Sequence, residues 1–255
     1  MKIHPSAVIH PKAEIGENCS IGPYCVIGPM VKMGKNNRLA SHVCIEGNTH
    51  IGNNNHFHPY ACIGGLTQDA KFEGGAPGVK IGDNNQIREY VTIHCATHDG
   101  DFTTLGNDCL IQAYCHVAHD CQLDDQVILS SGAKLSGHVE MGKHSIISGM
   151  TGVIQFVKIG EYAFVGGYAK LTSDIPPYCL ADGIPAKVVT INKIGLERNG
   201  FSKQDIRAIY KAYKLLFKSD ETLEAVKDEI IKIDNPFVHN MLNFVTSPNK
   251  GILRK

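Results

Sequence analysis

LGNDCL IQAYCH VAHDCQ LDDQVI LSSGAK LSGHVE, residues 105–140 cut every six, decides the fold. Each block opens on a large aliphatic residue: Leu105, Ile111, Val117, Leu123, Leu129 and Leu135. Each holds a small or narrow residue in fifth place: Cys109, Cys115, Cys121, Val127, Ala133 and Val139. A step of six matches neither the 3.6-residue period of a helix nor the two-residue alternation of a strand. It fits a chain wound as a solenoid of very short parallel strands. The phase runs far beyond the quoted stretch. From Ile3 to Leu171 it defines 29 positions and fails only at Asp69, Gly75 and Asp99, which leaves 26 apolar. Gly recurs directly after the aliphatic, as at Gly16, Gly34, Gly82 and Gly142, and Asn36-Asn37 and Asn84-Asn85 suit turns because Asn tolerates positive φ. A β-sandwich of short strands does not keep one phase this long. The expected fold is an all-β solenoid, a parallel β-helix of hexapeptide repeats.

Composition narrows the function. Lys plus Arg equals Asp plus Glu at 25 each, which argues against a nucleic-acid partner. No run approaches the roughly 18–20 apolar residues of a transmembrane segment. Met1–Ile15 already carry the repeat, so no signal peptide is expected. Of nine cysteines, Cys19, Cys25, Cys109, Cys115 and Cys121 fall in the small-residue column, and no CxxC pair occurs. They read as buried small hydrophobes in a reducing, cytoplasmic setting, and not as zinc ligands.

Residues 1–185 are expected to form the solenoid, with loop insertions near 64–80 and 98–104, and 186–255 a C-terminal α-helical domain. Asp174-Ile175-Pro176-Pro177 is the expected end of the strands. After a transitional segment, Ser202 with Asp205 resembles a helix cap. Ile206, Ile209, Tyr210, Tyr213, Leu216 and Phe217 then recur at helical spacing, and further helices are expected over 223–233 and 237–245. Lys203, Arg207, Lys211, Lys214 and Lys218 line the other face of the first helix, either as a solvated surface or as a dock for an acidic partner.

If three hexads make one triangular turn, residues 18 apart stack. His119 and Gln155, 36 apart, then share a column, and His138 lies one coil and one residue from His119. One edge gathers His116, His119, His138 and Gln155, more polar groups than a solenoid needs. Other histidines, such as His42, His50 and His144, read as exposed turn residues. His119 adjoins Asp120, but neighbouring side chains on a strand point opposite ways, so adjacency alone does not pair them. A neutral imidazole has the right strength for a general base near pH 7. No cofactor or metal is expected. Two other classes fit the polar edge less well: a hexapeptide-type zinc carbonic anhydrase using His116, His119 and His138, and a purely structural trimer.

His116-Val-Ala-His119-Asp120-Cys121, Gly137-His138-Val139, Gln155-Phe156 and Asp174-Ile-Pro-Pro-Tyr178 together resemble the UDP-N-acetylglucosamine O-acyltransferases of lipid A biosynthesis. So do Gln68-Asp69-Ala-Lys71, Ile87 to His94, and Gly195-Leu-Glu-Arg198 to Ser202, so the resemblance covers the whole chain. It implies a left-handed β-helix and a homotrimer with active sites between subunits. It implies transfer of an (R)-3-hydroxyacyl chain from acyl carrier protein to the 3-position of a UDP-amino sugar. His119 would be the base, Asp120 its support, and the Gly137 N–H the oxyanion donor. His116, His138, Gln155, Asp69 and Lys71 would contact substrate, Asn192 and Arg198 the uridine diphosphate, and Gly167 the acyl groove. The chain departs from the family pattern at Ile154, where His is usual, and at Ile194, where an acidic residue is frequent, and Pro185 stands where some members carry a His that closes the acyl groove. These departures leave open a 3-amino acceptor and the acyl length.

Overall fold

A computed structural model describes residues 1–247 and 250–252. Among them, two-residue strands repeat every six residues and stack into three parallel sheets of eleven, nine and eight strands. These are faces I, II and III of a triangular prism, entered at Lys2–Ile3, Val8–Ile9 and Glu14–Ile15. In each strand the second residue points inward. Ile21, Ile45, Leu129, Leu135 and their equivalents are fully or nearly fully buried. Each such side chain contributes on the order of 1.5–3 kcal/mol of hydrophobic stabilisation. The prism is the left-handed parallel β-helix that the period and the resemblance implied, with a helical C-terminal region. All five cysteines of the small column are buried, and burial pushes the Cys109 and Cys121 thiols up to about 12.

The stacking step is 18 residues except where insertions lengthen it. Cys62 pairs with Thr92, 30 residues on, and Thr92 with His116, 24 on. His98 therefore does not stack beneath His116; it lies exposed in the second loop. Both insertions leave between a face II and a face III strand. The first joins Cys62–Gly65 to Gly78–Ile81 and is shorter than expected from sequence, whereas the second joins Thr92–His94 to Phe102–Leu105 and keeps the expected length but begins three residues earlier. Both therefore project from one edge of the prism, corner II/III.

The corners turn through left-handed residues. Corner III/I uses Asn18, Asn36, Asn54, Asn84 and Asp108, all with φ near +60°. The residue after each points inward. Asn37, Asn55 and Asn85 are completely buried, and each side-chain oxygen accepts an N–H from the next coil: Asn55, Asn85 and Cys109 at 2.8–2.9 Å. Reading the Asn pairs as turn residues was right for the first member only. Corner I/II uses bulkier residues in the same conformation, and Tyr24, His42, Tyr60, Tyr90 and Tyr114 stack ring on ring at 4.8–5.0 Å. His42 is exposed as expected, whereas His50 sits half-buried on a strand.

The prolines at 176–177 do not end the sheet. Cys179–Gly183 adds to face I in parallel, then pairs antiparallel with Ala186–Ile191. The expected boundary at 185/186 thus falls in a hairpin, and the change to helix comes at Lys193. Helix α1 (Lys193–Arg198) was not expected. Helices α2 (Lys203–Lys218), α3 (Leu223–Ile231) and α4 (Pro236–Thr246) match expectation closely. Ser202 caps α2 by accepting the Asp205 N–H at 3.1 Å. Ile206, Ile209, Tyr213, Leu216 and Phe217 are buried, but Tyr210 stays exposed on the flank. The five basic residues of α2 are all exposed.

Candidate active site

Corner II/III brings His119 and Asp120 together. Asp120 takes the left-handed conformation, φ +61°, which breaks strand alternation and swings its side chain beside its neighbour's. His119 Nδ1 and Asp120 Oδ2 are 2.7 Å apart, with side chains 13% and 11% exposed: shielded, yet open to a ligand. Adjacent side chains diverge on a strand but converge at this corner.

The carboxylate is held from several sides. Thr97 Oγ1 donates to Asp120 Oδ2 at 2.7 Å, and the Thr97 N–H donates to Oδ1 at 3.1 Å. The Asp120 N–H donates to Thr103 Oγ1 at 2.9 Å. Burial alone raises the Asp120 carboxyl, but the hydrogen bonds from His119 and Thr97 outweigh it and hold it below the usual range. Thr97 lies in the second insertion and Thr103 in the strand that follows it, so that loop clamps the dyad. In the sequence Thr97 was one more small residue of the inner column. Its hydroxyl became legible only with the corner geometry.

One coil above His119 lies Gly137. A Cβ there would sit 2.3 Å from His119 Cε1 and 2.5 Å from Nε2, so the imidazole occupies the space that glycine leaves. One coil above Asp120 lies His138, also left-handed. Its Nε2 is 3.5 Å from Asp120 Oδ2 and its ring stacks on Phe156 at 4.5 Å. Gln155 stands above Gly137 and is exposed. The first loop reaches the same place. Thr67 Oγ1 is 3.4 Å from Thr97 Oγ1 and accepts the Asp69 N–H at 3.2 Å. Ligating atoms of Asp69, His119 and His138 lie within 4.8 Å of one another. Lys71 is exposed, and its N–H donates to Asp69 Oδ1.

His116 stands apart, outward on face II. Its Nδ1 is 2.7 Å from Thr92 Oγ1, and its ring meets His94 edge-on at 5.0 Å. Burial, with His94 and Lys134 nearby, lowers its pKa to about 4, so it is neutral at pH 7. His94 is lowered too, mainly by burial, and its Nδ1 is buried without a partner. No spacing signal in the sequence singles out His94. The three histidines His116, His119 and His138 do not converge as zinc ligands. Among the described residues, the group with that potential replaces His116 by Asp69.

Three expected residues lie elsewhere. Asn192 is buried at the head of α1, where it accepts the Gly195 N–H and donates to Tyr162 O at 2.9 Å. Tyr162 belongs to corner III/I, so Asn192 and the exposed Arg198 sit near a different edge from the dyad. Gly167 is beside Tyr168 on corner I/II, and a Cβ there would meet nothing closer than Gly149 O at 3.4 Å. Its internal packing does not demand a glycine.

Comparisons with known proteins agree with this fold. The second domain of the UDP-N-acetylglucosamine O-acyltransferases matches residues 174–253, and the bacterial transferase hexapeptide model matches 2–29 and 102–137. The structure is similar to a UDP-N-acetylglucosamine acyltransferase, LpxA, of Bacteroides fragilis (36% identity, 98% of this chain and 99% of that one, TM-score 0.93). It is similar to LpxA of Acinetobacter baumannii (38%, 99% and 100%, TM-score 0.94) and to the Arabidopsis acyltransferase (33%, 98% and 99%, TM-score 0.87).

Proposed function

Since the chain belongs to the UDP-N-acetylglucosamine acyltransferase family, we propose that it transfers an (R)-3-hydroxyacyl chain from acyl carrier protein to the 3-hydroxyl of UDP-N-acetylglucosamine, the first step of lipid A biosynthesis. His119 removes the hydroxyl proton through Nε2 while Asp120 steadies the imidazolium. The freed oxygen attacks the thioester carbonyl. The tetrahedral oxyanion faces the Gly137 N–H. The carrier thiolate then leaves and takes the proton back from His119. The thioester is activated in advance, so positioning and proton transfer suffice.

The other residues receive binding roles. Neutral His116 and His94 suit sugar hydroxyl and amide groups, His138 and Gln155 border the pantetheine path, and Asp69 and Lys71 hold the sugar nucleotide. Asn192 and Arg198 hold the diphosphate, for which Arg is well shaped. They lie at a different edge from the dyad, which supports a site shared between neighbouring subunits of a homotrimer. The exposed tyrosines of corner I/II and the outward Leu110, Ile128, Ile146 and Phe164 of face I supply apolar surface for that contact. Sedimentation of the purified protein as a monomer overturns the trimer. Gly167 leaves room for the acyl chain. No helix among the described residues is long and apolar enough to cross a membrane, and nine free cysteines suit a reducing cytoplasm.

The observation that carries this reading is the His119–Asp120 pair beneath Gly137. Its test is an acylation assay with hydroxyl and amine acceptors and carrier-linked chains of several lengths. His119→Ala is expected to lower kcat by about 10²–10⁴-fold with the fold intact; near-normal turnover removes the base. Preference for the 3-amino sugar would replace the acceptor and keep the dyad. The basic face of α2 is the proposed dock for the acidic carrier. Lys211→Glu with Lys214→Glu should raise KM for the carrier-linked donor about tenfold and leave kcat alone. An unchanged KM sinks the dock.

A further inference from the structure

Asp69, His119 and His138 offer a ligand set for a divalent cation, since one ligating atom from each lies within 4.8 Å of the others. They come from three pieces of chain: the first loop and two successive coils of corner II/III. His119 and Asp69 are each oriented through one polar atom and keep another free, and His138 is held by its ring. His119 is tied through Nδ1 to Asp120, which leaves Nε2. Asp69 accepts from the Lys71 N–H through Oδ1, which leaves Oδ2. His138 lies flat on Phe156, with Nε2 3.5 Å from Asp120 Oδ2. A histidine fixed by a carboxylate at one nitrogen is the usual form of a metal-binding histidine.

The donor types choose the ion. Two imidazoles and a carboxylate favour zinc, cobalt or nickel over magnesium or calcium, which prefer all-oxygen shells. The carboxylates of Asp69 and Asp120 balance a double charge. Ligand atoms bound tetrahedrally at about 2.1 Å are roughly 3.4 Å apart, so closure needs shifts of at most about 1.4 Å. Asp69, on a loop, is the group placed to make them.

We propose that Asp69, His119 and His138 bind a zinc-class divalent cation, and that the ion blocks acyl transfer instead of serving it. It takes the Nε2 lone pair that removes the acceptor proton, and it takes the carboxylate assigned to the sugar nucleotide. The binding stands on geometry alone; the blockade rests on the proposed role of His119.

The experiment titrates cobalt(II) into the full-length, chelator-treated protein and follows the visible absorption of the bound ion. One ion per subunit is expected, displaced by zinc. Asp69→Asn and His138→Asn should each weaken binding by more than about tenfold. His144→Asn, on corner III/I, should leave it unchanged. Zinc should inhibit acylation, with UDP-sugar protecting and chelator restoring activity. No cobalt spectrum, or equal affinity in the Asp69 and His138 variants, overturns the site. Binding that depends on both residues while the zinc-loaded enzyme turns over normally keeps the site. That result overturns the blockade, while His119→Ala alone tests the base.

Discussion

Corners II/III and III/I of the prism share one backbone and do different work. Each turns through a residue with φ near +60° followed by an inward residue. At corner III/I the turning residues of the early coils are asparagines, and the inward neighbours Asn37, Asn55 and Asn85 form a buried amide ladder. At corner II/III the turning residues are Asp120 and His138, and the residues before them are His119 and Gly137. The left-handed turn puts two successive side chains on one side, so a carboxylate and an imidazole adjacent in sequence become partners at 2.7 Å. The solenoid supplies the conformation at most coils. Chemistry appears where its side chains are polar and two loops cover them.

The sharpest way to break that contrast is to fill the glycine at one corner and not the other. Gly137→Ala places a Cβ 2.3 Å from the His119 ring, which must move. Displacement of about 1 Å in a catalytic group costs on the order of 10²-fold, and kcat should fall by that much while thermal unfolding changes little. At Gly34, near corner III/I, an added Cβ meets Gly52 backbone at 2.6–2.9 Å as well as the Asn53 side chain, so Gly34→Ala should cost stability and leave turnover per folded molecule alone. Equal loss of kcat in both variants would erase the distinction.

A gentler probe keeps the shape and deletes one hydroxyl. Thr97→Val removes the 2.7 Å bond to Asp120, one of the causes that lower its pKa. The Asp120 pKa should rise. Once protonated, Asp120 no longer steadies the imidazolium, so the acid limb of kcat/KM should move to higher pH. A kcat loss of about tenfold is expected at neutral pH, less than for His119→Ala. The sign for stability follows as well. A carboxylate with a depressed folded pKa stabilises above its unfolded pKa, and that contribution is lost as pH falls through the folded value. The wild-type protein should therefore keep its acid stability to lower pH than Thr97→Val. An unmoved acid limb would show that Thr97 only fills space.

Much of this was readable before the coordinates. The six-residue period needs only the positions of Ile, Leu and Val, and it gave the prism, the stacking columns and the phase of His119 with Gln155. The caps and apolar stripe of α2 were equally local. What stayed hidden depends on the corners. Positive φ at Tyr24, Tyr60 and Tyr90 contradicts residue preference and is imposed by the coils above and below. The partner of His116 is Thr92 and not His98, because a loop's length sets which coil lies beneath. Thr67 and Thr97 meet from residues 30 apart through two insertions that happen to leave one edge. The separation of Asn192 and Arg198 from the dyad is likewise a fact of which corner α1 covers.

The smallest expected effect on turnover lies at the structural corner. Asn85→Ala removes an amide that is completely buried and makes two bonds through its side chain. The Cys109 N–H loses its acceptor at 2.8 Å, and Gly106 O loses its donor at 3.0 Å. Orphaned buried backbone groups cost about 1–3 kcal/mol each, so the thermal midpoint should drop measurably. The dyad lies at another corner, with no shared hydrogen bond, and sites so separated are nearly independent. kcat per folded molecule should stay within about twofold of wild type. A large loss of kcat without a loss of stability would mean that the corners communicate through the coil interior, and the division of labour between them would fall.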